Sequence, residues 1–198
     1  MPTVGFDLDM TLVDSRPGIA AVWREVSART GVFVDAELAV SRLGPPIRRE
    51  IANWFPDERV EEVLALYREL YREVAVAASP ALPGAVEAVA AMRAAGVGVV
   101  VISAKIGYLV QYHLDHLGIQ ADVVAGDRFG AGKTAAINEH RVEAYVGDHV
   151  ADMAAALAAG VPGVGVPTGP CDADALRAAG AAVVLPGLAA LPSWWLRR

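Results

Sequence analysis

The sequence predicts an α/β fold: a doubly wound, mostly parallel sheet carrying a small α-helical cap domain. Three observations point there. From about Pro83 onward, short apolar runs alternate with helical stretches. Those apolar runs lack polar alternation, the mark of strands buried on both faces. Between roughly Ser15 and Ser79 the rhythm breaks, and only helical periodicity remains.

Taken in order, "TVGFDLD" reads as a central strand. In "SRPGIAAVWREVSARTG", Ser15 is placed as an N-cap, Pro17 falls in the first turn and Gly31 ends the helix. Its apolar residues Ile19, Val22, Trp23 and Val26 are helically spaced. Gly44, Pro45 and Pro46 enforce a turn. "DERVEEVLALYRELYREVAVAA" reads as a long amphipathic helix with Asp57 near its start. A helix from Pro83 to Gly96 precedes the strand "VGVVVIS", and "GYLVQYHLDHLG" is a helix ending at Gly118. "ADVVAG", "VEAYVGD", "VPGVGV" and "AAVVLP" are further strands, separated by the helices "GKTAAINEH", "VADMAAALAAG" and "DADALRAAG". Trp194 and Trp195 are expected to pack on the domain. The division is therefore a core of residues 1–14 and 80–198 with a cap of residues 15–79.

Composition narrows the function classes. A net charge of −6 with no basic stripe argues against nucleic acid. No apolar run reaches the roughly 18 residues a membrane span needs, and no basic-then-apolar leader is visible. Cys171 is the single cysteine, so no internal disulfide forms and a reducing cytoplasm is expected. Only two of the 17 basic residues are lysines, Lys105 and Lys133.

In open α/β sheets ligands sit beyond the carboxyl ends of the strands. The polar residues at those ends form a compact set. The first strand delivers Asp7, Asp9 and Thr11; the second delivers Ser103 with Lys105 after it. Lys133 opens a helix after the third, and "YVGDHVAD" brings Asp148 and, one turn on, Asp152. Several carboxylates brought together repel unless a cation joins them, and hard oxygen donors suit Mg²⁺. An aspartate can attack phosphorus to form an aspartyl-phosphate, with Mg²⁺ and Lys133 offsetting charge on the phosphoryl oxygens.

"DLDMTLVDS", "VISAK", the Lys133 position and "VGDHVADMAAALAAGVPGVGV" resemble the four ordered motifs of haloacid-dehalogenase superfamily phosphatases, most closely phosphoglycolate-phosphatase-like members with an inserted helical cap. The resemblance spans essentially the whole chain. It implies that Asp7 is the nucleophile and a Mg²⁺ ligand, and that Asp9 is the general acid/base with its backbone carbonyl on the metal. It further implies that Thr11 supports the loop, Ser103 holds a phosphoryl oxygen, Lys133 neutralises nucleophile and phosphate, and Asp148 and Asp152 hold the metal. An acid at position 9 sets the chain apart from the family's dehalogenases and phosphonatases. Two positions depart from the pattern: Met10 stands where glycine is usual, and "SAK" replaces threonine-asparagine-lysine. Lys105 is divided between a rim contact and plain surface. In such relatives the cap closes over the substrate, which makes Arg42, Arg48 and Arg49 candidates for reading a second anionic group.

The expected function is a Mg²⁺-dependent phosphomonoesterase, in the cytoplasm, acting on a small phosphorylated metabolite such as phosphoglycolate. The expected partners exclude nucleic acid and membrane, and the expected state is monomer or homodimer. A phosphosugar mutase or pyrophosphatase on the same fold is the alternative. A non-catalytic binder or receiver-type phospho-acceptor ranks lower, because a receiver carries its acid pair on a different strand and no helical insertion. His113 and His116, three residues apart on one helix, are read as a solvated face, and His149 as a rim residue.

Overall fold

The computed structural model describes residues Met1–Arg198. Six parallel strands form one sheet: β1 (Thr3–Phe6), β2 (Gly98–Ile102), β3 (Val123–Ala125), β4 (Ala144–Gly147), β5 (Gly163–Gly165) and β6 (Val183–Val184). Their order is β3-β2-β1-β4-β5-β6. Val4 sits beside Val99 of β2 on one side and Ala144 of β4 on the other. The winding reverses at β1, so the crevice between the ends of β1 and β4 is where such a sheet binds ligands.

The strands alternate with α5 (Ala85–Ala94), α6 (Gly107–Leu117), α7 (Ala131–Glu139), α8 (Val150–Ala158), α9 (Ala173–Ala178) and α10 (Leu191–Trp195). One sheet face packs Val4, Phe6, Val99 and Val101 against α5, α6 and the C-terminal segment, where Trp195 is buried. The other face packs Val100, Ile102 and Tyr145 against Ala136, Ile137, Ala155 and Ala156 of α7 and α8. Both faces are covered, which is why the strand sequences run apolar without alternation.

Between β1 and α5 the chain forms α1 (Arg16–Thr30), α2 (Ala36–Ser41), α3 (Ile47–Ile51) and α4 (Val60–Leu70). They bury their own apolar cluster, with Trp23, Val26, Ile51, Leu64, Tyr67 and Tyr71 in it and Leu109 of α6 joining from the other unit.

Several local expectations need correction. Ser15 precedes α1, but its side chain makes no capping bond and is buried instead. The helix placed at Pro83 begins at Ala85, because Gly84 at φ +79° sits in a left-handed turn no helix continues through. Asp57 lies in a 3₁₀ turn leading into α4. Beyond Leu70 the helix widens into a π turn over Tyr71–Ala75, an irregularity that re-aims side chains and often marks a functional place. Helix α2 is too short to show a period; Asp35 caps it by accepting from the Leu38 N–H at 3.0 Å.

Candidate active site

Past Phe6 the chain turns tightly at the carboxyl edge of the sheet. The backbone N–H groups of Thr11, Leu12 and Val13 all donate to the Leu8 carbonyl. Met10 adopts a left-handed φ of +58°, which costs a non-glycine residue about 1–2 kcal/mol. Thr168 donates to the Met10 carbonyl at 2.5 Å and holds the turn closed. Met10 is thus buried in the turn, its side chain reaching the cavity above.

Asp7, Asp148 and Asp152 present carboxylate oxygens that all lie within 4.8 Å of one another, and all three residues are buried. Thr11 donates to Asp148 Oδ1 at 2.9 Å. Gly169 lies so close to the Asp148 carboxylate that a Cβ there would collide with it, so the segment after β5 must have glycine at this position. Asp152 stands in the first turn of α8, accepts from the His149 backbone N–H at 3.2 Å, and benefits from the helix dipole. Lys133 Nζ reaches Asp152 at 2.5 Å and Asp7 at 3.1 Å.

Three acids share one lysine here, and the titration reflects it. Burial, joined by Asp152 and Asp9 and opposed by Lys133, pushes the Asp7 carboxyl up to about 7. Burial and the charges of Asp7 and Asp152 also hold Asp148 well above the carboxylate range. For Lys133, burial disfavours the charge, but Asp152 and Asp7 outweigh it and keep the ammonium firmly protonated. A buried set of hard oxygen donors with too few cations among them fits a divalent ion such as Mg²⁺.

Asp9 belongs to a second cluster. Its Oδ1 takes Lys105 Nζ at 2.5 Å, and Lys105 also donates to the Tyr71 hydroxyl at 2.8 Å and lies over the Tyr71 ring. The ammonium can only donate, so the Tyr71 hydroxyl accepts from it, and the same hydroxyl shares a hydrogen bond with His113 Nε2, 2.8 Å away. Burial alone would raise Asp9, but Lys105 outweighs it and holds the carboxyl below its ordinary value. Burial, aided by the Lys105 charge, pushes His113 down to about 4. The imidazole is therefore neutral, and its Nδ1 is buried and has no partner.

The two clusters floor one cavity of about 400 Å³, roofed by the inserted helices. Ser103, 1 % exposed, opens onto it and accepts the Lys105 N–H at 3.1 Å. The structure thus brings Asp7, Asp9, Thr11, Ser103, Lys105, Lys133, Asp148 and Asp152 to one edge.

Other expectations fare differently. Asp9, expected to offer a metal only its backbone carbonyl, keeps its carboxylate out of the acid triad and gives it to Lys105. Lys105 is not a surface residue but an ion-pair partner with only 9 % of its side chain exposed. Arg42 and Arg48 line the cavity; Arg49 does not, and stacks on Phe129 of the core with its guanidinium 5.2 Å from the ring centre. His113 is no solvated face: it is fully buried, while His116 is exposed. His149 lines the cavity and caps α8, its Nδ1 accepting the Ala151 N–H at 3.1 Å.

Sequence reasoning did not find Tyr71, Tyr67 or Arg68, all of which line the cavity. Tyr67 and Tyr71 fell within a helical apolar stripe, whose spacing announces only core. The available signal was the pair of tyrosines one turn apart in a stripe otherwise aliphatic.

A family model described as haloacid dehalogenase-like hydrolase matches residues 4–157. A phosphoglycolate phosphatase of Rhodospirillum rubrum is 30% identical over 220 residues, which cover 96% of this chain and 88% of that protein. A HAD family hydrolase from Deinococcus radiodurans, solved with bound phosphate and sodium, is 27% identical and superposes with a TM-score of 0.71 over 100% of this chain and 96% of its own. A haloacid dehalogenase-like hydrolase from Streptococcus pneumoniae shares the fold at a TM-score of 0.84, covering 98% of both chains at 19% identity.

Proposed function

The chain belongs to the haloacid dehalogenase-like hydrolase family, as a phosphatase, and on that premise we propose that it is a Mg²⁺-dependent phosphomonoesterase working through an aspartyl-phosphate. The observation that carries the reading is the buried triad of Asp7, Asp148 and Asp152 with Lys133 among them, at the floor of a roofed cavity.

Asp7 and Asp148 would hold the ion with the Asp9 backbone carbonyl, and Asp152 would complete or support that set. The ion, when bound, neutralises charge on the phosphoryl oxygens. The chain's own groups account for the bond changes. An Asp7 carboxylate oxygen attacks phosphorus; the bond to the leaving oxygen breaks, and that oxygen takes a proton from Asp9. Asp9, now a carboxylate, takes a proton from water as the water attacks the phosphoaspartate. The acyl-phosphate bond then breaks, inorganic phosphate leaves and Asp7 is restored. Lys133 offsets negative charge at Asp7 throughout, and the Ser103 hydroxyl donates to a phosphoryl oxygen. At rest Lys105 holds Asp9 ionised, the form the second step requires; for the first step Asp9 must first take up a proton, as its carboxyl turns from Lys105 to the leaving oxygen.

The same reading places a small phosphorylated metabolite as partner, with no nucleic acid or membrane, and the protein in the cytoplasm as monomer or homodimer. No helix is long and apolar enough to cross a membrane. The name of the Rhodospirillum relative makes phosphoglycolate the first metabolite to assay.

The test is phosphate release from 4-nitrophenyl phosphate with Mg²⁺, its loss in chelator, and an acid-stable, hydroxylamine-labile phosphoenzyme in quenched samples. Release that survives exhaustive chelation, or turnover with no acyl-phosphate under single-turnover conditions, overturns the mechanism.

A further inference from the structure

The cavity has two unlike halves. Its floor carries Asp7, Asp9, Ser103 and Asp148, where a phosphoryl group fits. Its roof and side wall carry Ile19, Trp23, Leu64, Tyr67, Tyr71 and Leu109. These side chains belong to an apolar core cluster built mainly by the inserted helices, and only their edges reach the cavity: Ile19, Leu64 and Tyr67 are each 4 % exposed, while Trp23 stands wholly buried behind them. The rings of Trp23 and Tyr67 lie 5.1 Å apart and those of Tyr67 and Tyr71 5.8 Å apart, giving one tilted aromatic wall. Tyr67 is 4 % exposed, and its hydroxyl has no partner within the protein.

The cations of the cavity are largely engaged. Lys105 is taken by Asp9. Arg42 lies 3.8 Å from Glu50 and stacks on Trp54, while Arg48 pairs with Glu61. Glu50 and Glu61 themselves line the cavity and would repel a second anionic group. Arg68 has no acid partner, but it also lines a shallow groove outside beside Glu69 and Arg72, so it straddles the mouth. A two-carbon acid held by its phosphate would leave its carboxylate against aromatic carbon and most of the 400 Å³ to water.

We propose that the preferred substrate is a phosphomonoester of a neutral, largely apolar alcohol, of alkyl or aryl type and larger than glycolate, whose body lies against Tyr67, Leu64 and Ile19. At most one polar group on that body meets the Tyr67 hydroxyl. The inference rests on the phosphatase reading and deepens it: the phosphate is common to all substrates, and the wall selects what leaves.

The experiment compares kcat/KM for ethyl, butyl and hexyl phosphate, whose leaving alcohols differ little in basicity, with phosphoglycolate, all in Mg²⁺. The expected result is a rise of about tenfold or more from ethyl to hexyl, the discrimination an apolar pocket gives for added methylenes. Hexyl phosphate should also exceed phosphoglycolate by a similar factor. In Leu64→Ala, checked for folding by circular dichroism, the hexyl-to-ethyl ratio should fall several-fold; if that variant is unfolded, the series on the unaltered protein decides. A flat series, or phosphoglycolate equal to or above hexyl phosphate, overturns the inference and leaves the phosphatase intact. No phosphate from any ester would overturn the phosphatase reading and the inference with it.

Discussion

Two charged clusters face the same cavity, and each holds one of the chain's two lysines. Around Lys133 stand three buried acids, Asp7, Asp148 and Asp152. Around Lys105 stand one acid, Asp9, and two neutral groups, Tyr71 and His113. The first cluster gathers more acids than cations and could hold a divalent ion. The second is balanced, and its members come from the strand end, the loop after β2, the π turn after α4 and helix α6. One cluster is built to take up charge; the other is built to fix one carboxylate in place. The same pair of residue types serves both purposes, and the count of acids around each lysine decides which.

The sharpest break in that contrast comes from one isosteric change on each side. Asp7→Asn should lower kcat by about 10⁴-fold or more, as loss of a nucleophile does. Asp9→Asn should cost about 10²- to 10⁴-fold, the range of general acid–base catalysis, and should let phosphoenzyme accumulate in acid-quenched samples. Equal residual rates with no trapped intermediate in either variant would mean that the two acids do not divide the work.

Metal titration probes the unbalanced cluster by itself. Asp7 is raised from 3.8 to about 7, and Asp148 is raised too. A carboxyl raised on folding holds its proton more tightly in the folded state, so its contribution favours the metal-free fold at acid pH. That contribution is lost as pH rises from about 4 to about 7. Mg²⁺ binds the ionised acids and restores what ionisation removes, so its stabilising effect should grow across that window and level off above it. At 100 times its Kd the ion should contribute about 3 kcal/mol, a rise in Tm of about 5–10 °C. A Tm shift as large at pH 5 as at pH 8 would place the ion somewhere other than these acids.

The first cluster was legible in the sequence, and of the second only Asp9 and Lys105 were, for a physical reason. Asp7, Thr11, Lys133, Asp148 and Asp152 stand at strand ends or first helical turns, and the period of the flanking apolar residues marks those places. Parallel strands then bring their ends to one edge whatever else the chain does. Tyr71 and His113 lie inside helices, where the period tells which face is buried but not what it meets; their partners are set by how the inserted helices sit on the core. His113 reads as a solvated face because it stands three residues from His116 with no third ligand type nearby in sequence, yet the helix buries His113 and exposes His116. Lys105 left its role open for the same reason, since Asp9 is 96 residues away. The family resemblance implies roles for the strand-end residues, Asp9 among them, and none for Tyr71 or His113. Met10 shows the reverse case: the departure from glycine was plain in the sequence, but only the structure shows that the left-handed turn is kept.

The balanced cluster should give smaller and more graded effects. Lys105→Met removes the charge that holds Asp9 below its ordinary value, so whichever limb of the kcat–pH profile Asp9 governs should move to higher pH. Movement to lower pH would show that Lys105 is not what sets that carboxyl. Tyr71→Phe should do least. Its ring stays packed on Tyr67, and Lys105 keeps Asp9, so the acid/base pair survives. What goes is the hydroxyl that joins Lys105, on the core, to the π turn and to His113. One lost hydrogen bond of this kind costs about 1 kcal/mol, and His113 is then left with both ring nitrogens unpaired. The expected result is a slightly lower Tm and a kcat reduced only a few-fold, with the profile displaced in the direction of Lys105→Met but less far. A drop as deep as that of Asp9→Asn would mean that the phenol touches the reacting atoms, and Tyr71 would then belong to the chemistry itself rather than to its alignment.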